Sequence, residues 1–229
     1  VEAAETPVKG DRGPIPAVGD ASTLTFPKVE RTRLTNGIEL IYAQRTTVPQ
    51  TQAVMSFDAG VAADVPGKVG TQQLMLGMID EGTATLDSVG IAEAKERLGA
   101  DIFTGFSSDR TTVSFRAPSA NLAPTIDLFA DIVRAPAFAD AEVARVKGQQ
   151  LAGIAQELTD PDALGARVLP KLVYGAASPY AKAQGGGDPT AVATLTRADL
   201  VAFHHAWIRL DKAKIFVVSK RSIADVKAL

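Results

Sequence analysis

The sequence predicts an α+β fold in which a mostly antiparallel sheet of about five to six strands carries helices on one face. Strand-like and helix-like segments occur in separate runs: three strands, two helices, two strands, three or four helices and one strand. Such segregated runs are typical of α+β domains. The first two strands also flank Asn36-Gly37, which is the strongest short-range signal for an antiparallel hairpin.

Strands are predicted where apolar residues alternate between turn signals. Residues 1–26 come first and are rich in Pro, Gly, Ala and Asp, so they predict a linker or disordered tail before a single domain over residues 27–229. The predicted strands are Val29–Leu34, Ile38–Gln44, Thr51–Asp58, Asp101–Phe106, Thr111–Arg116 and Lys214–Ser219.

Helices are predicted where apolar residues recur every three or four positions. The first follows a Pro66-Gly67 turn and is expected to close at Gly82, and the second ends at Gly99. Thr196 and Asp199 have the spacing of a capping box. The predicted helices are Val69–Ile79, Ser88–Leu98, Leu122–Arg134, Ala141–Leu158, Ala163–Tyr174 and Thr196–Ile208, with a further helical pattern starting at Ile223.

Composition excludes several classes of function for these 229 residues. The net charge is −2 with both signs interspersed, so no basic face indicates nucleic-acid binding. No stretch approaches the roughly 20 apolar residues that cross a bilayer. Because the chain contains no Cys, it has no disulfide, no thiolate metal site and no Cys nucleophile.

The two ends of the sequence suggest a piece of a longer protein. The first residue is Val, and the helical pattern from Ile223 stops at Leu229. We therefore expect the natural protein to continue beyond Leu229 and to begin before Val1.

The residues that most often carry chemistry form no recognisable constellation. His204 and His205 are the only histidines, and neighbours on a helix diverge by about 100°, so both cannot face one metal. A solvated helix face is the expected setting for them. Gly185–Gly187 lacks the strand and helix context of a phosphate-binding loop, so it predicts a flexible loop.

The acidic residues near helix ends are equally unpromising as catalysts. Asp80 and Glu81 are adjacent and should point apart, which makes them a poor acid and base pair. Glu157, Asp160 and Asp162 lie where a helix gives way to a turn, and we expect solubilising residues and a helix N-cap.

Several short strings, in their order and spacing, resemble the pitrilysin/insulysin-type zinc peptidases, the inverzincins. The resemblance runs from about Phe26 to Leu229. Its pieces are Leu34-Thr-Asn-Gly-Ile-Glu-Leu, the span from Gly70 to Gly82-Thr83, the span from Gly99 to Thr111, Asp160-Pro161, and Leu195-Thr-Arg-Ala-Asp-Leu. It implies the α+β domain of that family.

In active members of that family, a helix carries His-x-x-Glu-His, with two zinc ligands and a general base. The resemblance puts Gln73 at the first His, Leu76 at the Glu and Gly77 at the second His. The third ligand, a Glu on a later helix, matches Gly153. These residues cannot hold zinc in a tetrahedral site, so the resemblance implies a domain that is not catalytic by itself.

The resemblance also implies partners. Active members add the substrate backbone to an edge strand, and the matching positions here are Thr104, Gly105 and Phe106. Family members pair two halves around a peptide chamber, and one half often lacks zinc. The leading hypothesis is therefore an inactive domain beside a zinc-bearing half, which is supplied in the same polypeptide or by a separate subunit. Zinc is expected only in that partner half.

Two alternatives remain open from the sequence. One is a metal-free structural or assembly subunit, similar to the core proteins that this family contributes to membrane complexes. The other is an enzyme with unorthodox ligands. The resemblance is compatible with a periplasmic bacterial protein, whereas the composition identifies no compartment.

Overall fold

A computed structural model describes Gly10, Gly13, Gly19, Thr23, residues 25–182 and residues 186–229. Most of the tail predicted over residues 1–26 therefore lies outside the described residues. Within them, the strands are β1 (Val29–Arg33), β2 (Glu39–Gln44), β3 (Gln50–Phe57), β4 (Asp101–Phe106), β5 (Thr111–Pro118) and β6 (Lys214–Ser219).

These strands form one sheet in the order β1-β2-β6-β3-β5-β4. Every neighbouring pair is antiparallel except β2 with β6, which is parallel. The predicted hairpin at Asn36-Gly37 is confirmed, because Gly37 has φ +87° and the two strands pair across it. The predicted α+β class and the strand count are confirmed as well.

The helices follow the predicted segments closely. They are α1 (Thr71–Met78), α2 (Ser88–Leu98), α3 (Leu122–Arg134), α4 (Asp140–Glu157), α5 (Pro161–Tyr174), α6 (Pro189–Thr194), α7 (Arg197–Trp207) and α8 (Ile223–Lys227). The capping box at Thr196 and the left-handed Gly99 after α2 are both confirmed. None of the helices in the described part of the chain is long and apolar enough to cross a membrane.

Two predictions about helices are wrong. Helix α1 ends at Met78 and not near Gly82, because the last turn tightens and Ile79 N–H bonds the carbonyl of Leu76 at 3.3 Å. Helix α6 was not predicted. Its six residues are too few to show a period, although Asp188-Pro189 is an N-cap followed by proline at the first helical position.

The core lies between the helices and one face of the sheet. Leu40, Val113 and Phe115 point to this face and are buried, whereas Phe103 and Phe216 lie on the opposite, exposed face. The alternation follows from the two-residue period of a strand. Helix α1 is the most deeply placed helix, and its Leu74 and Met75 are fully buried.

Helix α5 is attached differently from the other helices of eight or more residues. It has no buried residue, and Leu169, Leu172 and Val173 are more than half exposed. Its hold on the domain comes from Arg167, whose guanidinium pairs with Glu157 at 2.7 Å. The Tyr174 ring also lies 5.9 Å from that of Tyr180, and the least exposed residues of the helix are Ala163, Arg167 and Pro170.

The same substitution, Leu to Ala, tests the difference in burial between α1 and α5. Leu74→Ala should lower the free energy of unfolding by about 2–5 kcal/mol, because it opens a cavity in a packed core. Leu172→Ala should change it by less than about 0.5 kcal/mol, since that side chain is 76% exposed. Urea titration followed by circular dichroism measures both, and equal losses would contradict the placement of α5.

Candidate functional site

Helix α1 is held at its N-terminus by a buried carboxylate. Asp64 is 2% exposed, and its two oxygens accept the N–H groups of Gly70 at 2.7 Å and Gln72 at 2.9 Å. These donors have no partner inside the helix. One side chain thus satisfies two orphan donors, and its negative charge sits at the positive end of the helix.

A lysine fixes the loop that carries this carboxylate. The ammonium group of Lys182 donates to the main-chain carbonyls of Ala62 and Asp64. Burial raises the pKa of Asp64 above its ordinary value, and the N–H groups of Gly70 and Gln72 and the charge of Lys182 oppose that rise. Burial lowers the pKa of Lys182, against the attraction of Asp64.

The three α1 positions that match the lost zinc motif have different surroundings. Gln73 is partly buried, and its Oε1 has no partner within the described residues. Leu76 is 4% exposed and belongs to the hydrophobic core. Gly77 is exposed, and a Cβ there would lie 3.1 Å from Cγ1 of Val146.

Helix α4 brings the fourth position onto a helix that contacts α1. Val146 of α4 faces Gly77, and Gln150 Nε2 donates to the carbonyl of Gly70 at 3.2 Å. Gly153 lies about one turn beyond Gln150, is exposed, and has open space where a Cβ would stand. The four predicted positions therefore lie on two touching helices, and no side chain among them is a good zinc ligand.

The predicted substrate-strand residues lie on an edge of the sheet. Thr104, Gly105 and Phe106 belong to β4, which among the described strands pairs only with β5. Phe106 is opposite Thr111, whose hydroxyl accepts a 2.8 Å bond from Gln72 of α1. The end of the edge strand is therefore joined to the start of α1 through two side chains.

The two histidines occupy different environments, and the prediction of a solvated face is wrong for His204. Its ring is 5% exposed, packs against Phe138, and donates from Nε2 to the carbonyl of Val133 at 2.8 Å. Burial lowers its pKa. His205 is exposed. The buried ring of His204 therefore packs in the core and ties α7 to the end of α3.

The acidic residues have structural roles. Asp160 caps α5 by accepting the N–H of Ala163 at 2.8 Å, as predicted. Glu157 is more than a solubilising residue, since it pairs with Arg167. Asp80 and Glu81 point apart, as predicted, toward Lys95 and Arg145 respectively. No two of these carboxylates converge on one point.

Part of the glycine run Gly185–Gly187 is packed against the start of α1. Gly185 lies outside the described residues, whereas Gly186 and Gly187 are buried. Gly187 has φ +90°, and a Cβ there would lie 2.4 Å from Cα of Gly70. This part of the predicted flexible loop is a close approach of two backbones, which only glycine permits.

No group of three or more His, Asp or Glu side chains suited to a metal ion occurs within the part of the chain that the structure describes. The residues at the matching positions offer one carboxamide and no imidazole or carboxylate. They do not fit zinc, and no hydrolytic step can be assigned to them.

Sequence reasoning missed Asp64 and Lys182. The available signal was the position of Asp64, which is the only acidic residue between Asp58 and Asp80 and lies shortly before a predicted helix. The partner lysine is 118 residues away along the chain, so no local pattern indicates it.

The fold and the altered α1–α4 site define a metallopeptidase-like domain without the zinc motif. The sequence model described as Insulinase (Peptidase family M16) matches residues 40–177. The chain belongs to this family.

Three comparisons describe its relatives. The crystal structure of a peptidase M16 inactive domain from Pseudomonas fluorescens has a TM-score of 0.83 and 31% identity, over 88% of this chain and 48% of that one. Pitrilysin has a TM-score of 0.75 at 16% identity, over 88% of this chain and 22% of that one, and shows the fold alone. The non-peptidase homolog YmxG of Helicobacter pylori is 23% identical over 163 residues, 71% of this chain and 37% of that protein. The chain thus spans half or less of each relative's length.

Removal of the Asp64 side chain should loosen α1. Asp64→Ala leaves two buried N–H groups unpaired, so the free energy of unfolding at neutral pH should fall by about 1–3 kcal/mol. Asp87→Ala is the matched control, because Asp87 caps α2 from an exposed position and should cost less. Denaturant titrations of both variants give the comparison.

The loss from Asp64→Ala should also depend on pH. The pKa of Asp64 is raised in the folded state above its ordinary 3.8, so its proton-linked stabilisation is complete below that value and is lost as the pH rises through the raised pKa. The difference in free energy of unfolding between the native chain and Asp64→Ala should therefore widen as the pH falls toward 4. A gap that narrows on acidification would contradict the raised pKa.

The assignment of the lost ligands can be tested by restoring them. The triple variant Gln73→His, Gly77→His, Gly153→Glu should bind one zinc ion per chain, measured by metal analysis after dialysis and by calorimetry. In the control, Gln72→His replaces Gln73→His. That position is turned about 100° away, so the control should bind no zinc. Equal zinc in both variants would overturn the assignment.

Proposed function

We propose that this chain is a non-catalytic M16 domain, formed by residues 27–229 after a linker over residues 1–26, that contributes to the wall of a peptide chamber. It works beside a zinc-bearing half, which the same polypeptide or a separate subunit supplies. Peptide is the substrate of that assembly, and zinc belongs to the other half.

The observation that carries this proposal is the preserved α1 helix without its ligands. The helix keeps its buried cap and its contact with α4, while Gln73, Leu76 and Gly77 stand where the zinc motif would be. At this site the helix is kept, whereas the residues that would bind zinc are not. The likeness to an M16 inactive domain and to a non-peptidase homolog supports the same conclusion.

The position of β4 supports a role in holding peptide. Active M16-type enzymes are expected to pair the substrate backbone with the corresponding strand, and β4 is an edge strand whose Thr104 and Phe106 are exposed. Backbone pairing depends little on side-chain identity. Peptide binding at β4 therefore does not require a metal.

A mixing experiment tests the proposal. The chain alone should not cleave a quenched fluorescent peptide, and adding it to the isolated zinc-bearing half should raise that half's rate of cleavage. The cleavage rate should rise with the fraction of zinc-bearing halves that have bound the chain. It should therefore saturate as more chain is added. Asp64→Ala, which loosens α1, should stimulate less at equal concentration. Equal rates with and without the chain would refute the chamber role.

The full-length gene product and its genomic neighbours separate this proposal from the assembly-subunit alternative. A His-x-x-Glu-His sequence in either one supports the peptidase half. Its absence from both would favour a structural subunit.

A further inference from the structure

The two edges of the sheet differ in their protection. Natural sheets guard exposed edges against unwanted pairing with charged residues. Strand β1 follows this rule, because Glu30, Arg31 and Arg33 are three of its five residues. Strand β4 has only Asp101 at its start, which pairs with Arg116 at 2.8 Å. Residues 102–106 carry no charge, so this edge is open to another strand.

The hydrogen-bond pattern leaves a regular row of free groups on β4. Ser107 N–H bonds the carbonyl of Arg110 at 2.8 Å, and antiparallel pairs alternate between bonded and non-bonded. With Phe106 opposite Thr111, the N–H and C=O groups of Ile102, Thr104 and Phe106 therefore point away from β5. No described residue satisfies them.

Phe103 extends an apolar row across the exposed face of the sheet. Cross-strand register places Ile41, Phe216, Val54, Ser114 and Phe103 side by side. Phe103 is 51% exposed and Phe216 is 41% exposed. An added antiparallel strand would meet Phe103 in a non-hydrogen-bonded pair, where the side chains approach closely. An apolar side chain at that point would cover the Phe103 ring, whereas a charged side chain would gain no such contact.

We propose that β4 selects extended, uncharged peptide segments and that Phe103 sets the selection, through an aromatic or β-branched side chain packed beside it. The inference rests on the proposed peptide-holding function and adds its specificity. Ile102, Thr104 and Phe106 supply the backbone bonds, which any sequence can use. Phe103 supplies the discrimination, because a cross-strand pair with an aromatic or β-branched side chain is favourable whereas a charged side chain gains no contact with the ring.

Fluorescence anisotropy of a labelled peptide tests the selection without the zinc-bearing half. The probe is a capped eight-residue peptide of alternating Thr and Val with one central Phe. Replacing that Phe by Asp should weaken binding roughly tenfold. Phe103→Ala should reduce this ratio to about twofold, because the discriminating neighbour is gone. An unchanged ratio in Phe103→Ala would overturn the role of Phe103.

Thr104→Pro tests the backbone bonds. Proline removes an N–H that points outward, so the ladder with β5 should survive while probe affinity falls roughly five- to tenfold. Val29→Pro is the matched control on β1. The bond from Leu34 N–H to Ile38 O sets the pairing of β1 with β2 so that the N–H of Val29 also points outward. The affinity of this variant for the probe should stay unchanged. If Thr104→Pro fails to fold, a probe methylated on alternate amide nitrogens tests the same bonds with the native chain.

The outcomes separate this inference from the chamber role. Stimulation of cleavage without probe binding would overturn the inference alone, whereas probe binding without stimulation would refute the chamber role alone. Sedimentation equilibrium completes the test. A dimer of the native chain that Thr104→Pro dissociates would show that β4 pairs with a second copy, which would also overturn the inference.

Discussion

The structure depends on one buried carboxylate. Asp64 closes the N-terminus of α1 with two short hydrogen bonds, and α1 lies at the centre of the core. A helix of eight residues is too short to be stable by itself, so its cap and its buried face must hold it. Lys182 completes the arrangement by fixing the carbonyls of the same loop, which ties two distant parts of the chain together. These bonds and the mutual attraction of the two groups offset part of the cost of burying them, since the pKa of Asp64 remains raised and that of Lys182 remains lowered.

This arrangement holds α1 in place through groups of the protein itself. A structural zinc site contributes directly to folding, and its loss would leave a destabilised helix if nothing else held it. Here the cap, the core contacts of Leu74 and Leu76, and the approach of α4 at Gly77 fix α1 independently of any ligand. Under the proposed function, α1 therefore keeps its place through these contacts and needs no metal ligand for it. Leu76, which the resemblance matches to the catalytic base of active members, is buried in this core.

Two surfaces of the described part of the chain suit contact with another molecule, one on a strand and one on a helix. Strand β4 offers backbone groups and an uncharged edge close to α1, which suits an extended peptide. Helix α5 offers an apolar side turned away from its own domain. Exposed apolar surface of that kind is unusual for a monomer and is typical of a surface that contacts another domain or protein. Both features are consistent with the proposed role beside another domain.

The sequence by itself determined the fold class, the hairpin at Asn36-Gly37, most helices and the absence of a zinc motif, because these depend on local period, turn residues and residue type. Tertiary structure alone decided the rest. The cap from Asp64 needs a loop folded back onto α1, the burial of His204 depends on Val133 at 71 residues' distance, and the glycine approach at Gly187 depends on Gly70. Such pairings join residues far apart in sequence, and no local pattern encodes which partners the closed chain will bring together. The short helix α6 escaped prediction for the related reason that its place is fixed by packing and not by periodicity.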